Sequence, residues 1–231
     1  MTRRQCIRHA AGVLWVARQS FGNPNEEFVV IDAGANVGRW LIAFHRIVTS
    51  PGRLYAFEPQ PSAAQKVREL NLDQCEVLEL ALGDQPGNFS FYTSNETDST
   101  GSLYERRDSF GSKEYSRIEV EVVRLDDFVK QRKIKQIDFM KMDLEGNELN
   151  ALKGASECLR TGMLRALSFE FGSSNINSRI FFKDMFSLFR DNQYSIARIT
   201  PAGRLIPVKK YAEDYEVFAR TSTYLARRGD S

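Results

Sequence analysis

Phe28-Val29-Val30-Ile31-Asp32-Ala33-Gly34-Ala35-Asn36-Val37-Gly38 runs from apolar residues through an acid into a glycine turn, and a helical pattern follows from Arg39 to Val48. Phe28 to Ala33 is nearly continuous in apolar side chains. Such a run suits a strand covered on both faces, as in a parallel sheet. Gly34 and Gly38 permit backbone angles and close approaches that a Cβ forbids. They are expected to leave the N–H groups opening the helix free to face a ligand. A strand–turn–helix of this kind lies at the carboxyl edge of a sheet, where open α/β folds bind nucleotide-like cofactors.

The turn reads Asp32-x-Gly34-x-Asn36-x-Gly38, one residue tighter than a dinucleotide G-x-G-x-x-G and with Asn in its middle. An acid at the strand tip repels a pyrophosphate but suits a ligand with a cationic amino-acid end. S-adenosylmethionine has such an end, together with a sulfonium. Leu54-Tyr55-Ala56-Phe57-Glu58 then reads as a second strand ending in a carboxylate, placed to accept hydrogen bonds from both ribose hydroxyls. A glycine turn serving packing alone is the blander account, and the position of Glu58 speaks against it.

At 231 residues the chain fits one domain with a sizeable core. Apolar residues at 42% and charged residues at 27% are globular proportions. A formal charge of +2 gives no argument for nucleic acid. Cys6, Cys75 and Cys158 are widely spaced with no C-x-x-C, which argues against a disulfide framework or structural zinc and for a reducing, cytoplasmic setting. Thr2 to Ser20 reads as an amphipathic helix against the domain rather than a signal peptide, because Arg8, His9 and Arg18 interrupt its apolar patch. Contact of that helix with a membrane surface or a partner is the lesser alternative. The expected organisation is an N-terminal helical extension, 1–27, a catalytic domain, 28–222, and a tail, 223–231.

Farther on, Ser62 is a candidate N-cap for a helix to about Leu72, and Cys75 to Leu82 reads as a third strand whose tip neighbours the adenine. Asn88 to Thr93 and Ile118 to Arg124 alternate as strands, and the polar stretch Ser94 to Ser116 between them is read as a lid, with a structureless connection as the alternative. A short helix from Leu125 follows. Ile137 to Asp143 is a strand, Glu148 to about Leu159 a helix, Leu164 to Phe171 a strand and Ile180 to Phe189 an aromatic-rich helix. Tyr194 to Thr200 and Tyr215 to Arg220 are expected to pair as a closing antiparallel hairpin. This alternation indicates a single α/β sandwich.

Asp143, Glu145 and Glu170 place three carboxylates at the tips of adjacent strands. In the plainer account Asp143 or Glu145 caps the following helix. In the functional account they bind an acceptor and one removes its proton, since His9 and His45 are the only histidines and neither lies near a strand tip. The same acids could instead hold a divalent cation.

Val30 to Gly38, Phe57-Glu58-Pro59, Ala81-Leu82-Gly83-Asp84, Leu125-Asp126-Asp127 and Lys141-Met142-Asp143-Leu144-Glu145-Gly146-Asn147-Glu148, with Leu152-Lys153-Gly154, together resemble the FkbM family of S-adenosylmethionine-dependent methyltransferases. The resemblance spans roughly residues 28 to 220. It implies a class I, Rossmann-like three-layer sandwich whose seven-stranded, mostly parallel sheet has an antiparallel last strand. It implies a cofactor pocket from Asp32, Gly34, Ala35, Asn36, Gly38, Glu58, Pro59 and Leu82, with Asp143, Glu145 and Glu170 on the acceptor side. The expected reaction is methylation of a hydroxyl on a glycan, glycolipid or natural product. N-methylation of a peptide or amino sugar, and a nucleotide-binding module without chemistry, are the alternatives. Nothing in the sequence states the oligomeric state.

Overall fold

Val30 and Ile31 are both buried and belong to separate apolar clusters on opposite faces of one sheet, which is why their strand needs an unbroken apolar run. The computed structural model describes residues 28–46, 52–105 and 115–229. The expected helix over Thr2–Ser20, the extension 1–27, and the middle of the polar loop, 106–114, lie outside the described residues.

In chain order the elements are β1 (Phe28–Ala33), α1 (Arg39–His45), β2 (Gly52–Phe57), α2 (Pro61–Glu69), β3 (Cys75–Leu78), β4 (Ala81–Leu82), β5 (Gly87–Thr93) and β6 (Ser116–Val123). They continue as α3 (Leu125–Gln131), β7 (Phe139–Met142), α4 (Glu148–Lys153), α5 (Ser156–Thr161), β8 (Ala166–Phe171), α6 (Ser174–Ser178) and α7 (Phe182–Asp191). The chain closes with β9 (Tyr194–Ile199), β10 (Leu205–Val208), a 3-10 turn at Glu213–Tyr215 and β11 (Ser222–Arg228). The main sheet has the order β10-β9-β11-β8-β7-β1-β2-β3. Strands β1, β2, β3, β7 and β8 pair in parallel, while β11 runs antiparallel between β8 and β9.

Trp40, Leu41 and Phe44 cover one face, with the indole stacked on Phe44 at 5.0 Å. Phe128, Leu152, Leu159, Phe182 and Phe189 cover the other. Each large side chain so buried contributes about 1.5–3 kcal/mol. Strand order reverses between β1 and β7, so the loops after them part and leave a crevice at the carboxyl edge.

The three-layer α/β architecture and the antiparallel final strand are present, with an eighth strand, β10, added beside β9. Three local expectations are corrected. The stretch 75–82 is two strands: β3 stays at the sheet edge, while β4 pairs with β6 in a separate three-stranded sheet, β4-β6-β5. Ala81, Phe91, Val120 and Val122 give that sheet its own small core. The helix expected over 148–159 breaks at Gly154, because the Asp126 carboxylate accepts from Glu157 N and Cys158 N and so caps a second helix. Gly154 also abuts Gly83, where a Cβ would lie 1.9 Å from the carbonyl oxygen.

The last strand is Ser222–Arg228, not Tyr215–Arg220, and the segment assigned to a tail, 223–231, supplies most of it. Residues 215–218 are mostly apolar for another reason. Glu216 accepts from Phe182 N and Lys183 N at the start of α7, while Tyr215 and Phe218 pack on Phe182 and Phe171. Val217 between them is exposed, so this is a capping loop with two packed rings rather than a strand with one covered face.

Candidate active site

The glycine turn after β1 is a folded object in its own right. Gly34, Asn36 and Gly38 all have positive φ, at 80°, 48° and 75°. A Cβ at Gly34 would sit 2.0 Å from the Asp143 carbonyl oxygen, so the turn packs directly on the loop after β7. Gly34 N and Ala35 N donate to Phe57 O, Gly38 N donates to Ala35 O, and Asn36 N donates to Glu58 Oε2 at 2.7 Å. These N–H groups of the turn are taken up inside the protein.

A cavity of about 470 Å³ opens over this turn. Gly34, Ala35, Asn36, Glu58, Pro59 and Leu82 line it, and so do Asp143, Glu145 and Glu170. Both constellations read from the sequence therefore face one space. Asp32 and Gly38 do not line it. Gly38 is buried against Leu70, whose side chain would lie 2.5 Å from a Cβ.

Asp32 is fully buried, and Lys141 Nζ lies 3.0 Å from its Oδ1. The same ammonium donates to Gly34 O at 2.7 Å and stands 3.8 Å from Asp143 Oδ2. Strand register explains the pairing: Asp32 on β1 is the neighbour of Lys141 on β7. The acid expected to meet a cationic ligand thus has an internal cation. Burial raises the Asp32 pKa, with Lys141 opposing it. Burial also works against the Lys141 charge, but Asp32 and then Asp143 outweigh it and raise the lysine's pKa above its usual range.

Glu58 is buried and its pKa is raised by burial, against donors that favour the charge. Gln60 N and Gln60 Nε2 both donate to Oε1, at 3.0 and 3.2 Å. With Asn36 N on Oε2, three of about four acceptor positions on the carboxylate are filled. One remains on Oε2, enough for a single hydroxyl. Near it, Leu80, Ala81, Leu82, Phe91 and Leu103 form an apolar wall suited to a flat base. Phe91 and Leu103 come from the region around the small sheet, which also supplies Asp98 and Gly101 to the lining.

On the opposite side the Glu170 pKa is raised well above the usual value by burial and then by the charges of Asp143 and Glu145. Neither Asp143 nor Glu145 needs to cap the next helix, because Glu148 organises that turn. Its Oε1 accepts from Leu144 N at 2.8 Å and its Oε2 from Gly146 N at 3.0 Å. Glu145 takes φ 52° in the same turn, and a Cβ on Gly146 would meet Ser174 O at 2.7 Å.

Burial pushes Glu148 up to about 7 from an ordinary 4.5. The folded protein therefore binds a proton that the unfolded chain has already released between those values. Stability relative to Glu148→Gln is expected to fall as pH rises through that window, on the order of 1–3 kcal/mol in all. Urea unfolding of both proteins at pH 5 and pH 8 checks this, and an offset independent of pH would remove Glu148 as its source.

Lys141, Gln60, Asp98 and Glu148 all shape the cavity or its loops without having been assigned a role from sequence. Lys141 and Glu148 lie within the quoted Lys141–Glu148 motif, so a signal existed. Gln60 and Asp98 carried none. Among the described residues no group of three or more His, Cys, Asp or Glu side chains is arranged to hold a metal ion, so no such group places the divalent cation left open by the sequence. Among those residues, too, no helix is long and apolar enough to cross a membrane.

A family model described as Methyltransferase FkbM domain matches residues 32–196. The 2-O-methyltransferase NoeI of Sinorhizobium fredii is 32% identical over 143 residues, covering 57% of this chain and 58% of that protein. Methyltransferase 1 of Beauveria bassiana is 28% identical over 152 residues, covering 58% and 60%. The chain thus spans about three fifths of the length of these curated relatives. An O-methyltransferase from Bacillus cereus, solved in complex with SAH, aligns with TM-score 0.52 at 12% identity over 95% of this chain and 80% of its own. Methyltransferase FkbM from Methylobacillus flagellatus aligns with TM-score 0.50 at 17% identity over 89% of this chain and 46% of its own. At these identities the two structures show a shared fold.

Proposed function

The chain belongs to the FkbM methyltransferase family, and we propose that it transfers the methyl group of S-adenosylmethionine to a hydroxyl of a glycan, glycolipid or other small-molecule acceptor. One observation carries this reading: Glu58 and the glycine turn line the same cavity as Asp143 and Glu170. The residues fit the cofactor. Glu58 has one acceptor position open for a ribose hydroxyl, and the apolar wall suits an adenine. The name of the relative NoeI supports a hydroxyl as acceptor.

When bound, the cofactor supplies a methyl carbon made electrophilic by its sulfonium. The protein must then hold the acceptor oxygen in line, keep water out and take one proton. Asp143, at the tip of β7 beside the glycine turn, takes the proton that the acceptor oxygen loses. Glu170, which lines the cavity and whose burial beside Asp143 and Glu145 favours the neutral carboxyl, is assigned the hydrogen bond that orients the acceptor. Ser168 and Thr223, which also line the cavity, add hydroxyl contacts on that side.

S-adenosylhomocysteine at about 100 times its Kd is expected to stabilise the protein by about 2.7 kcal/mol. That corresponds to a rise in melting temperature of roughly 5–11 °C for a chain of this size. Glu58→Ala should abolish most of the rise. No shift with millimolar ligand would contradict the reading, and mass spectrometry of extracts incubated with labelled methyl donor identifies the acceptor.

A further inference from the structure

Gln60 is 3% exposed at the N-cap of α2, where Pro61, which has no N–H to satisfy, begins the helix one residue before the expected cap at Ser62. Its side-chain nitrogen donates to Glu58 Oε1 at 3.2 Å and to Asp98 O at 2.9 Å. Its side-chain oxygen faces Thr93 Oγ1 at 3.0 Å. Two acceptors on one side and a hydroxyl on the other leave the amide a single orientation. The Thr93 hydroxyl has one proton and also lies 2.5 Å from Asn95 O, so the same contact reaches the start of the polar loop.

That loop is folded rather than slack. Asp98 turns its carboxylate inward, accepting from Ser94 N and Oγ on one oxygen and from Thr100 N and Oγ1 on the other. Its carbonyl oxygen points back to the main domain and receives both Gln60 Nε2 and Asn36 Nδ2, the latter at 3.2 Å. Residues 98–101 line the cavity beside Glu58. The segment therefore forms a wall of the cofactor half, tethered through two amide side chains.

We propose that Gln60 is a positioning residue that couples Glu58 to the 94–101 segment, so that a ligand hydroxyl accepted by Glu58 also keeps this wall closed over the cofactor. The proposal rests on the reading of the cavity as an S-adenosylmethionine site. Gln60 supplies two of the three N–H groups on the Glu58 carboxylate. With the remaining Oε2 position filled by a ligand, Glu58 cannot turn without releasing Gln60, and Gln60 cannot turn without releasing Asp98. Lys141 also bears charge near Glu58 and faces Asp32, while the Asp98 carboxylate is bonded within its own loop.

S-adenosylhomocysteine binding, measured by calorimetry and stopped-flow release, tests this without an acceptor. Gln60→Ala is expected to weaken binding at least tenfold, mainly through faster release, and to expose 94–101 to protease in the ligand-bound protein. Gln60→Glu sets a second carboxyl against Glu58, so affinity should fall steeply from pH 5 to pH 8. Thr93 does not line the cavity, yet Thr93→Val should weaken binding in the same direction and add nothing in the Gln60→Ala background, while Thr93→Ser retains affinity. A purely structural role would lower melting temperature without the pH dependence or the non-additivity. Wild-type affinity in Gln60→Ala and Thr93→Val, or independent additive effects, would overturn the coupling alone. A wild type that binds no S-adenosylhomocysteine would overturn the cofactor reading and the coupling together.

Discussion

Asp143→Asn is expected to lower kcat by about 10²–10⁴-fold while leaving S-adenosylhomocysteine affinity within a few-fold of wild type. The substitution keeps the shape of the side chain and removes its capacity to take a proton. The backbone around it is fixed independently: Asp143 N donates to Ala33 O at 3.0 Å, and the adjoining turn is held by Glu148. Glu170→Gln should cost far less, about tenfold, because the role assigned to this carboxyl is to donate a hydrogen bond, and an amide still donates. The comparison is made on the acceptor that product analysis identifies, with ligand affinity measured in parallel. Turnover retained in Asp143→Asn but lost in Glu170→Gln would exchange the roles of the two acids.

Lys141→Met is expected to destabilise the protein by about 3–5 kcal/mol, the cost of leaving a buried charge without its partner. Asp32 has no exposure to water, and Lys141 is its ion-pair partner at 3.0 Å. Asp32→Asn/Lys141→Met should regain most of the loss, since neither residue then demands a counter-charge. The pH dependence has a definite sign. Without Lys141 the Asp32 carboxyl, already raised by burial, rises further, so the folded variant holds a proton that the unfolded chain has released. The deficit of Lys141→Met should therefore shrink toward pH 4 and grow toward neutrality. Chemical unfolding at three pH values measures it, and a pH-independent deficit would mean that lost packing, not lost charge, is responsible.

Several elements could be read along the chain because their signals are local. The unbroken apolar run of β1 reports burial on two faces, and the interval from Asp32 to Glu58 is the length of one strand–helix–strand unit. The aromatic residues at helical spacing in α7 report one covered face. Misplacements occurred where one local signal has two structural sources. Cys75 to Leu82 alternates as a strand should, but no residue in it states that β4 leaves the sheet for β6. Tyr215 to Phe218 is rich in apolar residues because two of its rings pack beside Glu216, which caps α7.

The order of residues alone was enough to set the architecture and the edge of the sheet that bears the cavity, since hydrophobic period and turn chemistry act over a few residues. It also named four carboxylates that line the cavity, Glu58, Asp143, Glu145 and Glu170, because residues at and just past a strand's end lie at its tip, but it placed Asp32 there too, which does not line it. How those charges are met was decided in three dimensions. Asp32 meets Lys141 through the pairing of β1 with β7, and Glu58 meets Asp98 through Gln60. Partners far apart along the chain have no shared periodicity to reveal them, and a buried charge shows its counter-ion only when the strands that carry both lie side by side.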